Sequence, residues 1–396
     1  MATIAADCER EGARAGTKTR GRRPGGARGN GEGAGARAPA VHFPLLDAGR
    51  GLAALAVVAH HVGNEAGLAI AKHGHLAVDY FLMLSGFVVA MSYEGRLRGG
   101  VHGVGGNGAG EGAPGAMAFR DFLAMRARRL APMILLGALL ATGALALAPN
   151  PDVRPEWIAF QFLLIPAMAS WVIFPLNAPM WSLFYESVAN VAHGGTIAFA
   201  RTRTIAASVI VLGVMAACIV LTHADYNMGF RPGEEGIALV RVFFAYLAGV
   251  LMWRLHAARW LPRVKVPGIV PIALVLAPLL APADMPAAAV TIAALFLCFP
   301  ASILCSLRGR ERPGGVAAWL GGISYPLYAI HMPILIAAHA VGLTQGPGGW
   351  AGVALFAVVA AWAVERWIDA PVRGWLKRRK GAAVRRRSVR MAIARG

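Results

Sequence analysis

LLDAGRGLAALAVVAHHV, residues 45–62, is apolar enough to cross a bilayer as one helix, yet it carries Asp47 and Arg50 near one end and His60 and His61 near the other. An ionisable side chain inside a spanning helix costs about 3 kcal/mol or more, so its presence asks for a function. Eleven positions separate Arg50 from His61. At about 100° per residue the two share one face, roughly 16 Å apart along the axis, while His60 points about 100° away. The two histidines are therefore not equivalent, and His60 is assigned to packing.

Outward from this stretch the chain keeps the same character. Of its 396 residues 57% are apolar and only 15% charged, and near-uniformly hydrophobic runs recur from residue 45 to residue 368. This is the composition of one multi-pass membrane domain rather than of two or three soluble ones. The net charge of +19 would suggest nucleic acid for a soluble protein. No nucleic-acid motif is present, and basic loops beside membrane spans explain the charge, so no nucleic-acid partner is expected. Cys8, Cys218, Cys298 and Cys305 show no CxxC spacing and read as small apolar residues, so neither a disulfide framework nor a metal site is expected. The first apolar run starts after more than forty residues, too late for a cleavable signal peptide, and the first span should act as its own insertion signal.

Residues 1–42, rich in Gly, Ala and Arg, are expected to be a disordered basic cytoplasmic tail, with a second basic tail at 377–396 and a membrane domain at 43–376. Gly99 to Gly115 reads as a flexible insert. Spans are expected near 45–66, 76–94, 131–148, 180–198, 204–222, 237–255, 267–282, 287–304, 318–340 and 350–368. With the amino terminus inside, all but four of the 39 lysines and arginines lie on the inner side, the exceptions being Lys72, Arg154, Arg231 and Arg241. A further crossing at 157–174 would invert every later basic loop. That segment is expected to be re-entrant or to lie along the outer interface, and Pro166 and Pro175 suit a broken helix. The fold class is thus an all-α integral membrane protein, a bundle of about ten transmembrane helices in the inner (plasma) membrane with both termini cytoplasmic. No internal repeat is evident, which argues against an inverted-repeat transporter.

Four further stretches carry candidate chemistry. HLAVDYFLMLSGFVV places Asp79 at the outer end of the second span, where a short turn would bring it to His61. A carboxylate on an imidazole fixes its tautomer and raises its basicity, as a general base requires; an interfacial cap is the alternative. FRDFLAMRARRLAP puts Arg126 and Arg129 on one helical face at the inner end of the third span, on the same side as Arg50. Three convergent arginines suit the phosphates of a nucleotide-like donor, and a positive-inside anchor is the simpler reading. In PMWSLFYESVANVAHGG, Ser182, Glu186, Asn190 and His193 share one face that must look into the bundle, with Trp181 and Tyr185 beside it. GGISYPLYAIHMPI aligns Ser324, Tyr328 and His331, and Pro326 and Pro333 free carbonyls for a ligand or a neighbour. His339, a turn beyond, is assigned to packing, and Glu365, Asp369 and Arg373 to an ion-pair ladder at the inner boundary.

In motif order, from about residue 43 to 376, the chain resembles the acyltransferase 3 family of integral membrane acyltransferases, which modify bacterial surface sugars and some antibiotics. Arg50 and His61 match its Arg-x10-His signature, and VDYFLMLSGF (78–87) its second-helix motif with Asp79. Arg126, Arg129 and Pro132 match its arginine motif, WSLFYE (181–186) its WSLxxE element, and ISYPLYAIH (323–331) its SYxxYxxH element. Asp369-Ala-Pro371-Val-Arg373 stands where Glu-x-Pro-x-Arg is usual. No soluble hydrolase-like domain follows the tenth span, so the chain is expected to work alone or to pass its group to a separate protein.

The resemblance implies a transferase of groups other than amino-acyl groups, which moves an acyl group, most simply acetyl, from cytoplasmic acyl-CoA to a hydroxyl of an extracytoplasmic glycan or glycosylated metabolite. The expected roles are His61 as base, Asp79 and Glu186 as its catalytic companions, and Arg50, Arg126 and Arg129 as holders of acyl-CoA. Trp181, Ser182, Tyr185, Ser324, Tyr328 and His331 would shape the substrate side. The partners expected are the lipid bilayer, acyl-CoA and the acceptor. The competing class is a transporter or flippase of an anionic or acylated solute, with the same polar stripes lining its pathway.

Overall fold

The computed structural model describes residues 43–102, 116–148, 150–223, 226–261, 266–307, 315–376 and residue 378. The tail expected at 1–42, nearly all of that at 377–396 and most of the insert at 99–115 lie outside the described residues, as does Cys8.

No strand occurs among the described residues, and the expected all-α membrane class holds. Helix α1 spans Pro44–Ala66, and a 3-10 turn, Gly74–Leu76, leads into α2, Ala77–His102. After α3 (Phe119–Leu147) and α4 (Pro155–Leu163) comes α5 (Met180–Ala192), which runs on through a π turn at His193–Ile197. Helices α6 (Thr202–His223), α7 (Glu235–Ala257) and α8 (Ile269–Leu279) follow. Helices α9 (Ala287–Ala293) and α10 (Phe299–Ser306) are joined by a π turn, Ala294–Cys298. Helix α11 is Gly315–Ala340, and α12 (Gly346–Val364) ends in a π turn, Glu365–Asp369. The boundaries follow local chemistry. Pro44 opens α1, where its missing N–H costs nothing, and Gly67 closes it at φ 65°, a left-handed cap that glycine adopts freely.

Among the described residues eight helices are long and apolar enough to cross a membrane. Each of the ten expected spans falls on a helix, and those on α5 and α8 are the two that fall short of that length. Helix α4 has nine residues, about 13 Å of helix against roughly 30 Å of hydrocarbon. The segment around 157–174 therefore does not cross as one helix. Within its most apolar window α2 is 83% buried, against 22% for α6 and α12, so α2 is the central helix and those two are peripheral. The exposed Ile210, Val211, Leu221, Leu355 and Phe356 on the peripheral pair are side chains suited to lipid.

Two parallel helix pairs organise the core, and both depend on small residues, as packing without a hydrophobic driving force requires. Helix α1 lies along α11 with Asp47 against Gly321 and Gly51 against the Leu320 backbone, Arg50 bonded to Ser324, and His61 beside His331. Helix α2 lies along α7, with Gly86 against the Tyr246 carbonyl and Gly249 against that of Met83. Buried ion pairs close this second pair at both ends, Asp79 with Arg241 and Glu94 with Arg254. Helix α3 runs parallel to α11 on its other side, with the Tyr325 hydroxyl donating to the Leu130 carbonyl at 2.8 Å. Pro333 leaves the Ala329 carbonyl without its helical donor, and the Asn177 amide takes it at 2.9 Å. The bundle thus has a basic end, with Arg50, Arg126, Arg129 and Arg254, and a histidine end, with His60, His61, His75 and His331.

A Cβ at Gly249 would fall on the Met83 carbonyl, whereas one at Gly143 meets nothing within 4 Å. Gly249→Ala should therefore strip most of the monodisperse protein from a detergent size-exclusion profile, and Gly143→Ala should leave the profile unchanged.

Candidate active site

One cavity is built from α1, α2, α3, α5 and α11. Phe43, Asp47, Arg50 and Arg129 line it toward the basic end, and Val78, Ser182 and Tyr328 line it farther along. From Gly321 to Tyr328 α11 climbs seven residues, about 10 Å of axis. Leu82, Leu84, Val88, Leu130 and Leu183 give the walls their apolar stretch, and Ser85, Glu186 and Ser324 set polar groups into them. Tyr328 lies next to His331, with ring centroids 6.0 Å apart, and neither His61 nor His331 lines the cavity.

The three expected anion-holding arginines do not converge. Arg50 donates to the Ser324 hydroxyl at 2.9 Å and to the Gly321 carbonyl at 2.6 Å, and stands 3.1 Å from Asp47. Arg129 stacks over the Tyr325 ring at 4.7 Å and approaches Asp369 at 3.6 Å, while its Nε and Nη1 make no hydrogen bond among the described residues. As a cation that lines the cavity, Arg129 fits an anionic ligand. Arg126 differs: it is buried, donates to Glu186 at 2.8 Å and to Asn190 at 3.0 Å, and does not line the cavity. Its expected place beside the other two is corrected to that of a clamp on α5, because the carboxylate of α5 reaches it first.

The polar stripe of α5 does look inward. Glu186 receives Ser85 at 2.6 Å and Arg126 on the same oxygen, Oε1, and faces the cavity. Ser182 and Tyr328 share a 2.7 Å hydrogen bond, and the Tyr328 hydroxyl also lies 3.0 Å from the Pro179 carbonyl. His193 is fully buried 3.8 Å from Glu94. Trp181 and Tyr185 are buried but do not line the cavity. Trp181 instead lies under the Arg241 guanidinium at 5.3 Å, and Tyr185 packs edge-on against Phe184.

The largest correction concerns Asp79. Its carboxylate is taken by Arg241, with Nε on Oδ1 at 2.9 Å and Nη2 on Oδ2 at 2.7 Å. Arg241 also donates to the carbonyls of Tyr226 and Met228, each at 2.9 Å, and its guanidinium lies over the Tyr226 ring, whose phenol burial pushes up from its usual range. The short turn between α1 and α2 brings Asp79 level with the histidine end. A full guanidinium in the same low-dielectric layer outcompetes a neutral imidazole for the carboxylate. What stands beside His61 is His331, with ring centroids 5.1 Å apart. His60 is held by the Ala71 carbonyl at 3.0 Å and the Asn64 amide at 3.1 Å, as a packing residue would be. His339 stacks on Trp350 and bonds Thr344. At the basic boundary Arg373 joins Glu365 at 2.6 Å and Asp369 at 3.1 Å, so the expected ladder forms.

Sequence reasoning missed Ser85, which fixes Glu186, and the partner role of Arg241. The signal for Arg241 was available: a lone cation within an apolar run requires a buried counter-ion. Among the described residues no three His, Cys, Asp or Glu are arranged to hold a metal ion.

A family model described as an acyltransferase domain matches residues 43–366. A relative from Rhizobium radiobacter, named protein 2 in picA locus, is 32% identical over 208 residues, covering 48% of this chain and 99% of the relative. No solved structure matches the chain.

Removing one partner of a buried ion pair strands the other, at a cost of about 3–5 kcal/mol. Asp79→Leu and Arg241→Leu should each lower the thermal melting midpoint of the purified protein sharply, and the double variant should melt above either single one. A melting midpoint unchanged in Asp79→Leu would contradict the pairing.

Proposed function

The chain belongs to the acyltransferase 3 family and is a membrane acyltransferase, and from this premise we propose that it moves an acetyl group from cytoplasmic acyl-CoA to a hydroxyl of an extracytoplasmic glycan or glycosylated metabolite, with His61 as general base. The observation that carries the proposal is the cavity that is lined by Asp47, Arg50 and Arg129 toward one end and reaches Tyr328, whose ring neighbours His331 and through it His61. The positive-inside bias supports an orientation with the basic end and both termini in the cytoplasm and the histidine end toward the outer face of the inner membrane.

In this reading Arg50 and Arg129 bind the phosphates of acyl-CoA at the cytoplasmic mouth. The apolar walls accept the pantetheine arm, and Ser85, Ser182, Glu186 and Tyr328 meet its amides and the acceptor. The thioester carbonyl then lies near His61. His61 takes the proton of the acceptor hydroxyl as its oxygen bonds to the carbonyl carbon. The carbon–sulfur bond breaks, and the departing sulfur takes the proton back as the free thiol, so His61 returns to its starting state. Arg126 acts through Glu186, and Arg241 with Asp79 holds the outer loop, Trp181 and the start of α2. Trp181 and Tyr185 support the acceptor side without touching it.

His61→Ala should lower thiol release from acetyl-CoA by about 10²–10⁴-fold, the usual worth of a general base, with normal protein levels in the membrane; full activity would contradict the assignment. Arg129→Gln should raise the KM for acetyl-CoA by about 10-fold or more, the worth of a charged hydrogen bond, with little change in kcat. Steady-state thiol release from purified protein measures both.

A further inference from the structure

His331 is fully buried on α11, and its hydrogen bonds fix the tautomer of its neutral ring. Its Nδ1 lies 3.0 Å from the Leu327 carbonyl and 2.9 Å from that of Tyr328. Carbonyl oxygens only accept, so Nδ1 carries the proton and the neutral ring keeps its lone pair on Nε2. That Nε2 is buried and has no hydrogen-bond partner among the described residues. A buried acceptor left unsatisfied costs about 1–3 kcal/mol. It stands on the ring that faces His61, with the two planes tilted by 39° and the centroids 5.1 Å apart. Two imidazoles joined nitrogen to nitrogen by a hydrogen bond have centroids about 5 Å apart, from a donor–acceptor distance of about 2.9 Å and the ring radii. The centroid separation is thus compatible with such a bond once the rings turn nitrogen to nitrogen.

His61 needs such a partner. A neutral imidazole that acts as a base requires one nitrogen held as N–H so that the other presents its lone pair. A carboxylate commonly does the holding, and the nearby carboxylate of Asp79 is committed to Arg241. The ring of His60 faces His61 edge-on at 5.4 Å, but its two nitrogens are already engaged by Ala71 and Asn64.

We propose that His331 is the positioning residue of this site: in the substrate-loaded protein its Nε2 accepts a hydrogen bond from a ring N–H of His61, which fixes the tautomer of His61 and turns its other nitrogen to the acceptor hydroxyl. The backbone lock on Nδ1 makes the arrangement one-way, since His331 can accept from His61 but cannot donate to it. When His61 gains the proton, the same bond shares the new charge with a neutral ring, where a carboxylate would have trapped it. This inference rests on the assignment of His61 as base.

The test is the rate of thiol release from acetyl-CoA by the purified full-length chain, measured with two variants. His331→Leu removes the acceptor and should lower kcat by roughly 100-fold with the KM for acetyl-CoA unchanged, a loss in the range of a proton-transfer defect. His331→Gln returns an acceptor oxygen near the place of Nε2 and should recover most of that loss. Wild-type kcat in both variants, a change in KM instead of kcat, or equal loss in both overturns the proposal. Nitrogen-15 spectra of the histidine-labelled wild-type protein, assigned by the absence of the signal from His331→Gln, give a reading that does not require a catalytically active variant. His331 should show a protonated Nδ1, and its Nε2 resonance should move when the non-reactive thioether ethyl-CoA is added; a protonated Nε2, or a resonance that does not move, overturns it. Full activity in His61→Ala would instead sink the assignment of the base itself, so the two failures are distinguishable.

Discussion

Helix α1 lies as close to α11 as it does because Gly51 and Gly321 present no side chain at the contact: a Cβ on Gly321 would fall 2.6 Å from that of Asp47, and one on Gly51 2.6 Å from the Leu320 carbonyl oxygen. The remainder of the site follows from that approach. With the two helices parallel and in this register, Arg50 reaches Ser324 at one end and His61 reaches His331 at the other. A shift of one residue in either helix would rotate its stripe by about 100° and separate both pairs. The cavity beside their polar faces is closed by walls from α2, α3 and α5.

Burial of charge is the second constraint. A lone ion in the bundle is far costlier than a paired one, and each of the deeply buried arginines has found a carboxylate: Arg241 with Asp79, Arg254 with Glu94 and Arg126 with Glu186. These pairs fasten α2 to α7 and α3 to α5. At the cavity mouth Arg50 is paired with Asp47 and Arg129 with Asp369, and Arg129 keeps two nitrogens without a hydrogen bond among the described residues. What separates the two sets is position: Arg50 and Arg129 line the cavity, whereas Arg126, Arg241 and Arg254 do not.

What could be read in the sequence followed from periodicity. The common face of Arg50 and His61, the inward stripe of Ser182, Glu186, Asn190 and His193, and the carbonyl freed by Pro333 each depend only on helical spacing, and each is found in place. Which helix meets which does not follow from spacing. Asp79 was assigned to His61 because a short turn joins their helices, but its partner Arg241 is 162 residues away. The pairing of His61 with His331 joins the first and eleventh helices and depends on glycine contacts that no local pattern announces. Arg126 and Arg129, three residues apart, looked equivalent on the helix surface and part company because Glu186 stands opposite one and Asp369 near the other. The broken course from Ile165 to Pro179 was legible from the charge balance and from Pro166 and Pro175, but its path was not.

The most direct measurement is sidedness in sealed proteoliposomes of uniform orientation, with no ion gradient imposed and acetyl-CoA labelled in the acetyl group supplied to one face at a time. The proposed path predicts that thiol is released only when acetyl-CoA is given to the face bearing Arg50 and Arg129, and that the labelled acetyl group emerges, as ester or free acid, at the face bearing His61. Release from either face equally, or label that crosses while still bound to intact acetyl-CoA, would contradict it.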